Sequence, residues 1–260
     1  MKTRILTTLA AMLALADLGR AAVQLIQFGE AGIAAAVPDN NLSGLARTHL
    51  VTGYDNFIAQ SVTISLKLQG TGFGAFNGDY YADLRHVSAD GMVTQWVTLV
   101  NRPGRTSSMP SGYSDSGLDV TFDDTAAADI HNYRITLNGA ASTPLSGALT
   151  GIWQPDGRDV DLLTVLDTSS RTSTLGGLAT GSPNGTWTLF IADAKAGGTG
   201  QLGLAGHHFR GAGAFFRLLA LGGNGGTLGL VPEAEEGGLR GRIKIKLLRT
   251  LGCEPRGFLF

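Results

Sequence analysis

The fold is decided by residues 61–69, which read Ser-Val-Thr-Ile-Ser-Leu-Lys-Leu-Gln. Apolar residues occupy every second position of this segment, the pattern of a β-strand with one buried and one solvent-facing side. The same alternation returns in residues 118–122 and 186–191. These three segments predict a core built by strands rather than by helices.

Less regular strand candidates lie between these segments. They cover residues 79–87, 92–100, 133–137, 148–153 and 162–166. Clusters of Gly, Asp, Asn and Pro separate them, as expected of tight turns. Many short strands with no alternation of strand and helix predict an all-β protein, an antiparallel β-sandwich or barrel. The 38 glycines among 260 residues are then largely turn residues, because several turn types need a positive φ.

Composition excludes several classes of protein. Only 16% of the residues are charged and the net charge is −1, which argues against a dedicated nucleic-acid binder and against a charged disordered chain. A single cysteine, Cys253, excludes an intrachain disulfide framework and a Cys-rich zinc site. The near-neutral total hides two unlike parts, since residues 1–205 carry a net −5 and residues 206–260 a net +4.

The N-terminal residues have the features of a secretory signal. Lys2 and Arg4 precede the apolar run Ile5–Ala16, and small residues follow at 19–22. This order predicts a signal peptide over residues 1–22 and an exported protein, secreted or held at the cell surface. The run is too short for a stable membrane-spanning helix.

One aspartate cluster is a candidate metal site. Asp115, Asp119, Asp123 and Asp124 lie within ten residues, and carboxylates from loops at a sandwich end can bind Ca²⁺. The spacing is not that of an EF-hand loop, so exposed aspartates beside turns are the alternative. Calcium is therefore a possible ligand, and no other cofactor is indicated.

No catalytic residues can be assigned. Asp115-Ser116-Gly117 resembles a segment of serine proteases, but a serine nucleophile needs a histidine base. The histidines before residue 206 are His49, His86 and His131, and none lies in a recognisable base motif. A turn is the better interpretation of this segment.

Two blocks resemble a known family. Residues 77–84, Asn-Gly-Asp-Tyr-Tyr-Ala-Asp-Leu, with Ser-Ala-Asp-Gly at 88–91, resemble a block of the P domain, also called P/Homo B, that follows the catalytic domain of kexin- and furin-like subtilases. Residues 184–193, Asn-Gly-Thr-Trp-Thr-Leu-Phe-Ile-Ala-Asp, with Gly-Thr-Gly-Gln-Leu at 198–202, resemble a second block of that family. The resemblance covers Gln27–Leu202 and implies an all-β, jelly-roll-like antiparallel β-sandwich of the galactose-binding-like kind.

Two further segments resemble a subset of such proteins. Residues 113–124 and 153–158 are similar to exported bacterial proteins that carry a P-domain-like module without a protease. In the family, the P domain stabilises or regulates a neighbouring protease and holds none of its catalytic residues. The resemblance therefore implies a non-enzyme, to which the label serine-type endopeptidase attaches only by association. We expect no subtilase domain before Asn77.

The resemblance ends where the tail begins. P domains close with a further strand of the form Trp-x-Leu-x-Ile, whereas this sequence continues with Gly-Leu-Ala-Gly-His-His at 203–208. We therefore expect a β-sandwich over residues 23–205, an atypical irregular tail over 206–260, and an unpaired sandwich edge where the closing strand is missing.

A change of reading frame accounts for the tail. Back-translated and read one base later, residues 204–243 can encode Trp-Arg-Ala-Thr-Ile-Ser, then Val-Pro-Glu-Pro and a basic cluster. These features resemble the PEP-CTERM sorting tail of exported Gram-negative proteins. We hypothesise a frameshift near Gly203, and we expect membrane contact only transiently, through the signal or an intact sorting tail.

These observations favour an exported, non-catalytic β-sandwich module for cell-surface or extracellular-matrix interaction. Its partner is a surface component, an exopolysaccharide or a protease, and not a nucleic acid. One alternative is an accessory or regulatory P domain of a subtilisin-like serine protease. The other is a carbohydrate-binding jelly roll, which would use exposed aromatic residues such as Tyr80, Tyr81, Trp96 or Trp153. The same residues are equally compatible with positions in the core.

Overall fold

A computed structural model describes residues 23–71 and 74–213. The predicted signal peptide and residues 214–260 of the predicted tail lie outside the described residues. The strands are β1 Val23–Val37, β2 Asn41–Val51, β3 Phe57–Thr71, β4 Tyr80–Ser88, β5 Thr94–Asn101, β6 Leu118–Phe122, β7 Leu149–Trp153, β8 Gly185–Asp193 and β9 Thr199–Gly213. The helices are α1 Tyr133–Asn138 and three short 3₁₀ turns, Asn77–Asp79, Ile130–Asn132 and Leu175–Leu178.

The strands form two sheets. The five-stranded sheet has the order β1-β9-β3-β6-β7, and the four-stranded sheet has the order β2-β8-β4-β5. With β7 set aside, each of the two sheets holds four strands connected as in a jelly roll. The predicted all-β sandwich is confirmed, with one difference, since β7 pairs in parallel with β6 and the other strand pairs are antiparallel.

The core lies between the sheets and follows the alternation that the sequence displays. Val62, Ile64, Leu66 and Leu68 of β3 are all buried, as the pattern of residues 61–69 predicts. Trp187 of β8, in the opposite sheet, is 1% exposed, and its ring centre lies 4.9 Å from that of Phe209 in β9. Strands with one apolar side thus bury that side against a second sheet.

Two strand predictions are wrong. Residues 133–137 form helix α1, which ends at Gly139 with a φ of 73° and a hydrogen bond from the Gly139 N–H to the Ile135 carbonyl. Glycine adopts this left-handed conformation without steric cost, so it ends the helix. Residues 162–166 form turns and irregular backbone.

The closing strand is present with the residues as written, which corrects the expectation of an unpaired sandwich edge. β9 continues eight residues past the predicted boundary at residue 205 and ends at Gly213. It lies between β1 and β3 and pairs with both along most of its length.

A bulge in β9 explains why its sequence does not look like a strand. The pairing with β3 and with β1 skips Gly203, as a one-residue β-bulge does. Leu202 is buried before the bulge, and the buried side chains after it are those of Ala205, His207 and Phe209. The buried side therefore moves from even to odd residue numbers, and no constant period of two survives.

No helix among residues 23–71 and 74–213 is both long enough and apolar enough to cross a bilayer.

Candidate binding surface

The outer face of the four-stranded sheet is built by the residues that alternate with the core. Along β4 as far as His86, and along β8 as far as Ile191, every second residue is buried, and those between are half-buried or exposed. The residues of β5 up to Trp96 are exposed or half-buried, whereas those beyond it are buried, so the accessible part of the face lies at the Trp96 end of β5.

Trp96 is the most exposed aromatic side chain on this face. It lies in β5, the edge strand of the sheet, and is 59% exposed. Met92 and Val93, in the turn between β4 and β5, are also exposed. A large apolar side chain left in water beside other exposed apolar residues is typical of an interaction site.

Strand register places Trp96 at one end of a row of side chains. Trp96 is opposite Arg85 of β4, and Arg85 is opposite Thr188 of β8. Thr188 is opposite Thr48 of β2, and their hydroxyl oxygens are 3.1 Å apart. We call Trp96, Arg85, Thr188 and Thr48 the Trp96 row.

The other three aromatic candidates for carbohydrate binding are buried or half-buried. Tyr80 and Trp153 are buried in the core, where their rings contribute to packing. Tyr81 is half-buried on the outer face, and its ring lies 6.3 Å from that of Phe190. Of the four predicted aromatic residues, only Trp96 is exposed.

Asp115, the first of the predicted calcium ligands, is engaged elsewhere. Its carboxylate is buried and accepts hydrogen bonds from the Tyr133 hydroxyl (2.5 Å), from Arg134 Nε (2.6 Å) and Nη2 (3.0 Å), and from the Leu145 N–H (2.6 Å). A carboxylate with an arginine and four donors has no capacity left for a metal ion.

The other three predicted ligands have separate roles. Asp119 is exposed and pairs with Lys67 at 2.7 Å. Asp123 accepts hydrogen bonds from the N–H and the hydroxyl of Thr125. Asp124 accepts from the N–H groups at the start of the 3₁₀ turn at 175–178.

The predicted calcium site is therefore not assembled from these four residues. No group of three or more Asp, Glu, His or Cys in the described part of the chain is arranged to hold a metal ion. The four aspartates are close in sequence but not in space, because strand alternation and turns direct their carboxylates to different sides.

The structure reveals a second buried carboxylate site, formed by Asp79 and Asp193. Asp193 lies opposite Tyr80 across β8 and β4. Its Oδ1 accepts from the Lys195 N–H, whereas its Oδ2 and the buried Tyr80 hydroxyl have no partner among the described residues. Burial, reinforced by the charge of Asp193, raises the pKa of Asp79 to about 6. Sequence spacing gave no sign of this pair, whose members are more than a hundred residues apart.

A buried His–Asp pair is also present. His131 Nδ1 lies 2.8 Å from Asp156 Oδ2, and both side chains are fully buried. His131 Nε2 lies 3.2 Å from the carbonyl oxygen of Arg105. A general base needs its second nitrogen directed at a nucleophile, and here that nitrogen faces a backbone carbonyl, so the pair is placed for a structural role.

An open groove lies beside β7. Its volume is about 460 Å³, and it is lined by residues 137–138 and 143–150. The lining contains no ionisable side chain, so the groove offers space but no acid, base or charge for catalysis.

Comparison with known proteins identifies no family for this chain. No family model matches the chain, and no curated protein matches it. Among solved structures, the Aeromonas sobria serine protease in complex with its chaperone has 15% identity and a TM-score of 0.36, with 77% of this chain and 29% of that chain covered. The same protease without the chaperone has 14% identity and a TM-score of 0.35, with 76% and 29% covered. These identities and TM-scores are too low to indicate a function for this chain, which spans less than a third of the length of either matched chain.

Proposed function

We propose that this chain is the P-domain-like β-sandwich of an exported protein and serves as a non-catalytic interaction module at the cell surface or in the extracellular matrix. The observation that carries the proposal is the exposed Trp96 on an open sheet face. Tryptophan is among the residue types that contribute most to binding at interfaces. Burying it in a partner would remove a large apolar surface from water.

Binding to cells tests this function. The purified chain is mixed with cells of the encoding organism and with its extracted matrix, and the sedimented fraction is measured. Trp96→Ala is expected to weaken binding about thirtyfold, the effect of losing roughly 2 kcal/mol at an interface. Ile152→Ala is the matched control, because Ile152 is an exposed apolar residue of β7 in the other sheet. Absence of binding, or equal loss in both variants, would overturn the proposal.

Export is part of the same proposal. The chain should be found outside the cytoplasm of a Gram-negative host, and its N-terminal residue there should lie near Val23. N-terminal sequencing of the protein from the medium or envelope tests this, and an intact Met1 on the exported chain would contradict cleavage.

Accessory action on a subtilisin-like protease is the alternative function. Trp96 and Met92 would suit an apolar protein surface as well. Slower heat inactivation of such a protease when the chain is added, lost in Trp96→Ala, would favour this alternative over a matrix role.

We further propose that the reading frame changes near Gly203 and that the intact gene encodes a PEP-CTERM-like sorting tail. The bulge at Gly203 supports this, as does His207, which is buried and whose ring nitrogens have no hydrogen-bond partner among the described residues. Burial lowers the pKa of His207 to about 4. The shifted frame would place tryptophan, alanine and isoleucine at positions 204, 206 and 208, which continues the buried side of Leu202 without a bulge. The bases of codons 200–245 test it, since a gene in which no one-base shift gives this tail would refute the idea.

A further inference from the structure

The Trp96 row combines three kinds of chemistry on one open face. Trp96 offers a flat apolar ring, Arg85 a guanidinium, and Thr188 and Thr48 hydroxyl groups that both donate and accept hydrogen bonds. Strands lie about 4.8 Å apart, so a row across four strands is about 14 Å long. Such a row suits an extended chain lying across the strands, whereas small molecules bind in concave pockets.

Arg85 supplies the charge that the ligand must match. Its side chain is exposed, and it makes no hydrogen bond or ion pair with any other residue that the structure describes. Asp83 lies two residues earlier on the same strand face, within range of the Arg85 charge. Burial raises the pKa of the Asp83 carboxyl, and the Arg85 charge opposes this rise. The two side chains form no ion pair, and Arg85 is an exposed cation opposite the Trp96 side chain. Arginine binds planar carboxylates through two parallel hydrogen bonds.

We propose that the Trp96 row binds an anionic polysaccharide. Trp96 stacks on the apolar face of one sugar ring, Arg85 pairs with the carboxylate of a neighbouring sugar, and the two threonines bond to sugar hydroxyls. This inference rests on the proposed surface or matrix function and gives its ligand a chemical class.

Affinity electrophoresis in gels containing polygalacturonate or dextran tests the ligand class. Polygalacturonate is a polyuronic acid, and dextran is a neutral glucan without carboxylates. We expect polygalacturonate to retard the full chain and dextran to leave its mobility unchanged. Trp96→Ala and Arg85→Gln should each weaken retardation at least tenfold, and Arg85→Lys should retain part of it. Added salt should weaken binding, because charge attraction is screened.

The matched control is Arg210→Gln, which removes an exposed arginine from β9 in the other sheet. It should bind like the unchanged protein. Equal loss in Arg85→Gln and Arg210→Gln would indicate attraction by net charge alone and would overturn the proposal. No retardation by polygalacturonate, or equal retardation by dextran, would overturn it as well.

The cell-binding experiment separates this inference from the proposed function. If the chain binds cells through Trp96 but not polygalacturonate, the surface function stands and the anionic ligand is wrong. If protease treatment of the cells abolishes binding, the partner is a protein and the inference is again wrong. If the chain binds neither cells nor matrix, the proposed function fails first.

Discussion

Two buried carboxylate sites in this sandwich are built in opposite ways. Asp115 lies among four hydrogen-bond donors and pairs with Arg134. Asp79 and Asp193 are buried near each other, and Asp193 keeps one oxygen without a partner among the described residues. A buried charge is tolerated when it is paired and fully hydrogen-bonded, and it is costly when it is not. The first site should therefore support the fold, whereas ionisation of the second should weaken it.

The largest effect is expected from breaking the first site. Arg134→Ala leaves the Asp115 carboxylate buried without its countercharge, and we expect the free energy of unfolding to fall by about 3–5 kcal/mol. Urea denaturation followed by tryptophan fluorescence measures this. Arg85→Ala removes an exposed arginine that has no partner in the described part of the chain, and it should change the free energy of unfolding by no more than about 0.5 kcal/mol.

A charge-neutral double variant sharpens this result. Arg134→Met combined with Asp115→Asn removes both charges and should recover part of the lost stability. A loss in the free energy of unfolding below about 1 kcal/mol for Arg134→Ala is no more than an ordinary hydrogen bond contributes. Such a result would contradict the inferred difference between the Asp115 site and the Asp79–Asp193 site.

A smaller effect of opposite sign is expected at the second site. The pKa of Asp79 is about 6 in the fold, above its usual 3.8, so its ionisation costs stability as the pH rises through this interval. Asp79→Asn should therefore raise the free energy of unfolding by about 1 kcal/mol near pH 7.5. The stability gain of Asp79→Asn should shrink as the pH falls below 6 and disappear below 3.8. At that pH the Asp79 carboxyl of the unchanged protein is protonated in both the folded and the unfolded state.

Thermal unfolding of Asp79→Asn and the unchanged protein at several pH values measures this difference. A variant that is less stable near neutral pH would show that the Asp79 carboxylate is stabilising, contrary to our interpretation.

The smallest effect is expected from a surface pair. Lys67 and Asp119 form an exposed ion pair, and such pairs contribute little in water. Lys67→Ala should change the free energy of unfolding by no more than about 0.5 kcal/mol. A loss comparable to that of Arg134→Ala would mean that burial does not separate strong from weak carboxylate pairs in this protein.

The strands that sequence predicted best are those with an unbroken period of two. The alternation is regular in residues 61–69, 118–122 and 186–191, and the structure has strands β3, β6 and β8 there. β1 and β9 contain bulges or left-handed residues, such as Gly32 with a φ of 67°, and these interruptions hide the alternation. Residues 133–137 read Tyr-Arg-Ile-Thr-Leu, and a segment of only five residues is too short for its pattern to separate a helix from a strand.

The candidate sites were less predictable than the fold. The aspartates of residues 115–124 are neighbours in sequence, but the structure gives each a different partner. Trp96 was one of four aromatic candidates, and only the structure separated it from the buried Tyr80 and Trp153. Arg85 gave no signal, since its importance depends on its position opposite Trp96 and Thr188.

The sequence by itself determined that this protein is an all-β sandwich, because the alternation of apolar and polar residues is a local property of each strand. Only the tertiary structure decided which side chains meet. Trp96, Arg85 and Thr188 come from three strands, and Asp79 and Asp193 are more than a hundred residues apart in sequence. Their proximity depends on strand order and register, which are set when the two sheets pack around a common core.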